Sequence, residues 1–225
     1  MITCIIPARS GSKRIKNKNL KNFYGKPLIY YSIRLALKSK MFSNVIVSTD
    51  SKKIAKIAKK FGANVPLLRS KKNSSDNTPI IDVLKEVVNK LKIKDDFICC
   101  LYPTAPLLKE KDFKKGLKIM NNKFDQLVAI SEFVSPTQRA FIKYNKSFIR
   151  FVNPKYKFKR SQDLNKTFFD TGTFAIYKNK SISNYKKTKN LKIAFVEIDR
   201  YSAVDINNNE DLKFAKFLFK LKKNN

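Results

Sequence analysis

The sequence predicts an α/β protein: a mostly parallel, twisted sheet flanked by helices, with an inserted β-arm. Three observations predict it. Short apolar runs alternate with amphipathic stretches of roughly 10 to 15 residues, the pattern of βαβ units. Hydrophobic residues make up 43% of 225 positions, enough to pack a core for one domain spanning 1–225. The alternation breaks between 131 and 166 and then resumes, which marks an insertion within a single domain.

The elements follow in order. "TCIIPA" reads as a buried strand and "KPLIYYSIRLALKSK" as a helix with Leu28, Tyr31, Ile33 and Leu35 partly buried. "NVIVSTD" is a second strand, with Asp50 placed to cap the helix "SKKIAKIAKKFG" and Gly62 to end it. "ANVPLL" is a short strand. "TPIIDVLKEVVNKL" is a helix with Ile80, Leu84, Val87 and Leu91 on one stripe. "DFICCLY" is a central strand, "EKDFKKGLKIMNN" a helix and "QLVAIS" a strand. In the insertion, "FIKYNKSFIRFV" predicts a hairpin around Asn145, and "KYKFKRSQDLNK" an irregular basic loop. "FFDTGTFAIY" and "KIAFVEI" resume the sheet, and "NEDLKFAKFLFKLKK" closes the chain as an amphipathic helix. In open α/β sheets ligands sit beyond the carboxyl ends of the strands. The first loop, Asp50 and "YPTAP" all lie at such ends.

Composition excludes whole classes of chemistry. The chain has no histidine, which removes Ser-His-Asp and Cys-His nucleophiles and His-ligated zinc. A metal here must be held by oxygen, which favours Mg²⁺ or Mn²⁺. Cys4, Cys99 and Cys100 lie in apolar runs and read as buried thiols. No apolar run reaches the ~18 to 20 residues that span a bilayer, so a cytoplasmic chain with no membrane partner is expected. The formal charge of +32 suggests a nucleic-acid binder as the competing class. The lysines are spread through nearly every segment, however, and no zinc-finger or RNA-binding signature accompanies them, so no nucleic-acid partner is expected.

The stretch "PARSGSKRIKNKN", directly after the first strand, holds one glycine, Gly11, and so is neither a G-x-x-x-x-G-K-[ST] loop nor a G-x-G-x-x-G turn. It still has the parts of an anion cradle: hydroxyls at Ser10 and Ser12, a planar fork at Arg9 and a point charge at Lys13. Arg14 and Lys16 read as part of the general basic background.

"IIPARSGSKRIKNKN" resembles the opening signature of the cytidylyltransferases that activate nine-carbon acidic sugars, an apolar strand followed by A-R-x-x-S-K and then K-N. Further agreement comes from "VIVSTDS", "LLRSKKNSSDNT" with Arg69 and Asp76, and "YPTAPL", so the similarity spans nearly the whole chain. Tyr102 in "CCLYPTAP", "PTQRAF" and "RSQDLNKTFFDTGTF" resemble the pseudaminic acid branch more closely than the CMP-sialate synthetases, which usually carry Gln at the Tyr102 position and Arg at the Lys109 position. The resemblance implies a Rossmann-like fold of the nucleotide-diphospho-sugar transferase type. It implies transfer of CMP from CTP to a nine-carbon 2-keto acid, the activated sugar serving surface glycan or flagellin glycosylation. Sialic, legionaminic and 3-deoxy-manno-octulosonic acids are the alternative sugars. Carried over, Arg9 and Lys18 bind phosphates, Lys13 neutralises the reacting phosphate, and Ser12, Asn19 and Arg69 complete the nucleotide site. Tyr102, Thr104, Gln138, Arg139, Arg160 and Gln162 are implied in the sugar site. The arm at 131–166 is implied to cross to the partner of a homodimer. The family's D-x-D-T-x-x-D metal motif stands here as "DINNNED", which leaves Asp205 and Asn207 as the implied Mg²⁺ ligands and retains Asp211. With Asn207 in place of a carboxylate, metal binding should weaken.

Overall fold

The computed structural model describes residues 1–224. In chain order the elements are β1 (Ile2–Pro7), β2 (Asn22–Phe23), β3 (Lys26–Pro27), α1 (Leu28–Ser39), β4 (Asn44–Ser48), α2 (Lys52–Lys60), α3 (Ile80–Lys90) and β5 (Phe97–Leu101). They continue as α4 (Glu110–Ile119), β6 (Gln126–Glu132), β7 (Phe141–Lys143), β8 (Ile149–Phe151), β9 (Phe168–Lys178), α5 (Asn179–Ile182), β10 (Ile193–Glu197) and α6 (Asn209–Asn224).

The main sheet has the order β10-β6-β9-β5-β1-β4. β1 is parallel to β4 and β5, and β6 is parallel to β10. β9 lies between β5 and β6 and runs antiparallel to both. The expected mostly parallel sheet is therefore present, with one reversed strand at its centre. Its direction follows from the arm, which returns the chain to the end where β6 stops.

The period-two alternation of a strand assigns each side chain to a face. Cys4, Ile6, Cys99 and Leu101 pack with Ile29 and Ile33 of α1, Ala55 and Ala58 of α2, and Phe113 of α4. Ile5, Ile98 and Cys100 point the other way, onto Ile81, Leu84 and Val87 of α3. The neighbouring Cys99 and Cys100 thus enter opposite layers, each fully buried and with its thiol pKa pushed up, first of all by burial. A third cluster joins Ile15, Phe23, Leu28, Leu107, Ile206, Leu212, Ala215 and Leu218. It ties the first loop to the closing helix α6, and each aliphatic side chain buried there contributes about 1.5 to 3 kcal/mol.

Local details differ from expectation in three places. Ser51, not Asp50, caps α2, its Oγ accepting from the Ile54 N–H at 3.3 Å, while Gly62 follows the helix at φ 92°. In α1, Leu28 and Ile33 are buried with Ile29 and Ala36, while Tyr31 and Leu35 are half-buried as expected. α3 buries Ile81, Val83, Leu84 and Val87, leaving Ile80 and Leu91 half-buried. "ANVPLL" pairs through two isolated bridges, Ile46 with Asn64 and Thr49 with Leu68, because Pro66 removes a ladder donor between them. The arm holds the expected hairpin of β7 and β8, and the Asn145 Oδ1 accepts from the Ser147 and Phe148 N–H groups at its turn.

Candidate active site

The loop after β1 is held at several points. Ile15 is buried in the third cluster and acts as its anchor. The Asn19 side-chain amide, itself buried, donates to the Arg9 carbonyl at 2.9 Å and closes the loop upon itself. The Ser10 N–H and hydroxyl donate to the Asp50 carboxylate at 2.8 and 2.6 Å. Partial burial opposes the charge on Asp50, yet the Ser10 bonds and the nearby Arg69 guanidinium keep its carboxyl below the usual range. Freed from capping α2, Asp50 instead fixes the loop. Arg9 donates to the Gly11 carbonyl at 2.9 Å and pairs with Asp76, which also takes the Lys13 ammonium at 2.5 Å.

Behind this loop lies Arg69. Its Nε donates to the Ser48 Oγ at 3.1 Å and a terminal nitrogen donates to the Ser48 carbonyl at 2.5 Å. Burial pushes the guanidinium pKa down to about 10, against the pull of Asp50 and Glu86. Arg69 is thus a largely desolvated cation, where an anion from solution is attracted more strongly than at the surface. Tyr102 is held by its backbone: its N–H donates to the Thr173 carbonyl at 2.9 Å, and the Ser32 hydroxyl donates to its carbonyl at 3.0 Å. Burial raises the pKa of its phenol, so it is a neutral donor at physiological pH. The Thr104 carbonyl accepts from the Ile206 N–H at 3.3 Å, joining the "YPTAP" loop to the opposite wall.

That wall is residues 205–207. The Lys18 ammonium donates to the Ile206 carbonyl at 2.7 Å. Burial, then repulsion from Arg14 and Arg9, lowers its pKa, against the attraction of Asp205 and Asp211. The Asn207 amide nitrogen donates to Asp205 Oδ2 at 2.7 Å, and its oxygen accepts from Arg14 at 2.8 Å. Opposite stands a bulge in β9, where the partner register in β6 jumps from Ala175 to Asp170 within two residues. Gly172, at φ 58°, sits in that bulge, and a Cβ there would come within 3.2 Å of Asp205 Oδ2. Glycine is needed both for the backbone angle and for the space in front of the carboxylate.

A cation site made by the protein alone does not fit this donor set. Asp205 supplies one carboxylate. The Asn207 oxygen is committed to Arg14, and Asp211 accepts from the Asn207 and Asn208 N–H groups at 2.8 and 2.9 Å at the start of α6. Among the described residues no group of three or more His, Cys, Asp or Glu is gathered as a metal site.

Arg9, Ser12, Lys13, Lys18, Asn19, Arg69, Tyr102, Thr104, Asp205 and Asn207 all line one cavity of about 390 Å³. Four expected residues stand apart from it, in the arm. Gln138 donates to the Asn165 carbonyl at 2.7 Å, Arg139 donates to the Ser161 hydroxyl at 3.3 Å, and Arg160 donates to both carboxylate oxygens of Asp163, at 2.7 and 3.1 Å. Gln162 is exposed. The Gln138 carbonyl oxygen is buried without a partner. Sequence reasoning overlooks Arg14, Gly172 and the 73–78 loop as cavity lining. Arg14 reads as background because its partner, Asn207, lies 193 residues away.

The family model described as "Cytidylyltransferase" matches residues 3–222. The chain is 38% identical to a pseudaminic acid cytidylyltransferase of Campylobacter jejuni, over 97% of this chain and 96% of that one. It is 37% identical to a CMP-N,N'-diacetyllegionaminic acid synthase of Legionella pneumophila, over 58% of this chain and 57% of that one. Among solved structures, CMP:2-keto-3-deoxy-manno-octonic acid synthetase complexed with CTP superposes with a TM-score of 0.75 over 98% of this chain and 99% of that one. At 17% identity, this likeness establishes the fold.

Proposed function

The chain belongs to the cytidylyltransferase family, and from that premise we propose that it joins the CMP of CTP to a nine-carbon 2-keto acidic sugar, pseudaminic acid, releasing pyrophosphate. The observation that carries this reading is the convergence of Arg9, Lys13, Lys18 and Arg69 on one cavity beyond the carboxyl ends of β1, β4 and β5. A triphosphate and an anionic sugar together need that concentration of positive charge.

The oxygen of the sugar's anomeric hydroxyl attacks the α-phosphorus, and its proton is released to solvent. The bond from that phosphorus to the β-phosphate bridging oxygen breaks, and pyrophosphate departs. This in-line displacement depends on position and charge neutralisation more than on a strong base, so a site without histidine suffices. In it, Lys13 and Arg9 carry the catalytic role by neutralising charge on the transferring and leaving phosphates. Lys18 and Asn19 hold the cradle closed, Ser12 offers a hydroxyl, and Arg69 gives a fixed, desolvated charge. Tyr102 and Thr104 face the sugar. Mg²⁺ or Mn²⁺ arriving with the triphosphate would have Asp205 as its anionic protein ligand and would add charge neutralisation at the phosphates. Gln138, Arg139, Arg160 and Gln162 would meet the sugar from the arm of the second subunit in a homodimer.

The test is pyrophosphate release from CTP with pseudaminic, N-acetylneuraminic, legionaminic and 3-deoxy-manno-octulosonic acids in turn. Release with pseudaminic acid alone is expected. Release with another acid alone reassigns the sugar, and silence with all four beside intact CTP binding overturns the transferase reading.

A further inference from the structure

Asp76 reaches from the 70–78 loop to two cations of the first loop. Its two carboxylate oxygens are shared between Arg9 and Lys13, the two cations that the proposed function assigns to phosphates, and the inference rests on that reading. Arg9, Lys13 and Asp76 line the same cavity. A carboxylate bridging a guanidinium and an ammonium has the charge and the oxygen geometry of a phosphate edge.

The segment that carries Asp76 is built to hold it there and to let it go. Its base is fixed. Glu86 of α3 accepts from the Ser70 N–H and hydroxyl, both at 3.0 Å, from the Asn73 amide at 2.6 Å and from Lys90 at 2.5 Å. The remaining side-chain bonds of the loop close within it: Ser74 donates to the Ser70 carbonyl at 2.7 Å and Thr78 to the Lys72 carbonyl at 3.2 Å. The tip reaches the first loop through Asp76. Breaking two ion pairs at a half-exposed carboxylate releases the tip and leaves the base untouched.

We propose that Asp76 is an internal competitor for the phosphate site, a latch joining the 70–78 loop to the first loop until a polyphosphate displaces it. The latch keeps Arg9 and Lys13 positioned and charge-balanced while the site is empty. It also sets a threshold that a single weak anion does not cross and a pyrophosphate-bearing ligand does.

The experiment is calorimetric titration of the full chain with inorganic pyrophosphate and with CTP, comparing wild type with Asp76→Asn and Asp76→Ala. Asp96→Asn is the control for net charge, since Asp96 pairs with the N-terminal ammonium at the opposite end of β5. Removing the competitor should tighten pyrophosphate binding about three- to tenfold in both Asp76 variants, the range two exposed ion pairs command, with Asp96→Asn unchanged. Equal or weaker binding in the Asp76 variants overturns the latch and leaves the transferase reading standing. An equal gain in Asp96→Asn also overturns it, by reducing the effect to overall charge. If no form binds either ligand, the transferase reading itself falls, and the latch with it.

Discussion

The first loop and the arm are both rich in Lys and Arg, and they use them in opposite ways. In the first loop four of the five cations are tied to distant parts of the chain: Arg14 to Asn207, Lys18 to Ile206, and Arg9 and Lys13 to Asp76. Ile15 and Asn19 are buried beneath them. In the arm the ion pairs stay within the arm, Arg160 with Asp163 three residues on and Lys166 with Glu132. There it is the apolar groups that lack cover, with Phe148 66% and Phe158 90% exposed beside Phe141, Ile142 and Ile149. One region is a finished surface waiting for an anion. The other exposes a run of large apolar side chains, the surface that the proposed homodimer would cover. Charge density therefore does not distinguish the two regions; long-range anchoring of the charges does.

The sharpest way to break the contrast is Lys13→Ala. The side chain is 83% exposed, so melting should be unchanged, while pyrophosphate release should fall about 10²- to 10³-fold as a transition-state contact is lost. Retained activity would remove Lys13 from the mechanism. On the arm, Ile149→Asp should shift the protein to monomer in analytical ultracentrifugation and lower turnover about tenfold at micromolar concentration, the scale of losing one buried contact. An unchanged sedimentation profile would show that the exposed hairpin does not pair. Glu86 tests the support of the cavity. Burial opposes its charge, but bonds from Lys90, Asn73 and Ser70 bring its pKa down to about 2. Because the folded value lies below the unfolded one, roughly 4.3, its stabilisation is complete at neutral pH and fades as pH drops from there towards 2. Glu86→Ala should cost about 2 kcal/mol at pH 7 and flatten the acid limb of the melting-temperature profile. An equal loss at pH 7 and pH 2.5 would contradict that role. The smallest effect is expected from Asn207→Asp, about a threefold fall in the Mg²⁺ concentration for half-maximal rate, since a second carboxylate joins Asp205. No change would mean that residue 207 does not set metal affinity.

What could be read in advance follows the range of the interaction. Strands and helices declare themselves in local periodicity, so β1, β4, β5 and α2 emerge directly. The α3 stripe comes out displaced because "PIIDVLKEVV" holds more apolar residues than one face needs, and the sheet chooses among them. The reversed direction of β9 is set by where the arm delivers the chain, which no local pattern encodes. At the cavity, Arg9 stands just beyond a strand end, and with Lys13, Arg69 and Asp205 it is legible by position and resemblance. Glu86 is not, because on an amphipathic helix its polar place looks like any solvated glutamate. Only the folded partner loop reveals that it gathers four donors.

The antiparallel β9 has a consequence for synthesis. It is the wedge between β5 and β6, so when residues up to Glu132 have left the ribosome, β5 still shows an unpaired edge bearing Ile98, Cys99 and Cys100, and β6 has nothing to attach to. The sheet becomes continuous when residues 168–178 arrive, after the whole arm. At roughly 5–20 residues per second, that edge stays open for a few seconds on every chain made. An apolar edge is a template for intermolecular pairing, so the interval before β9 is the point at which crowding of nascent chains or early termination turns this protein towards aggregation.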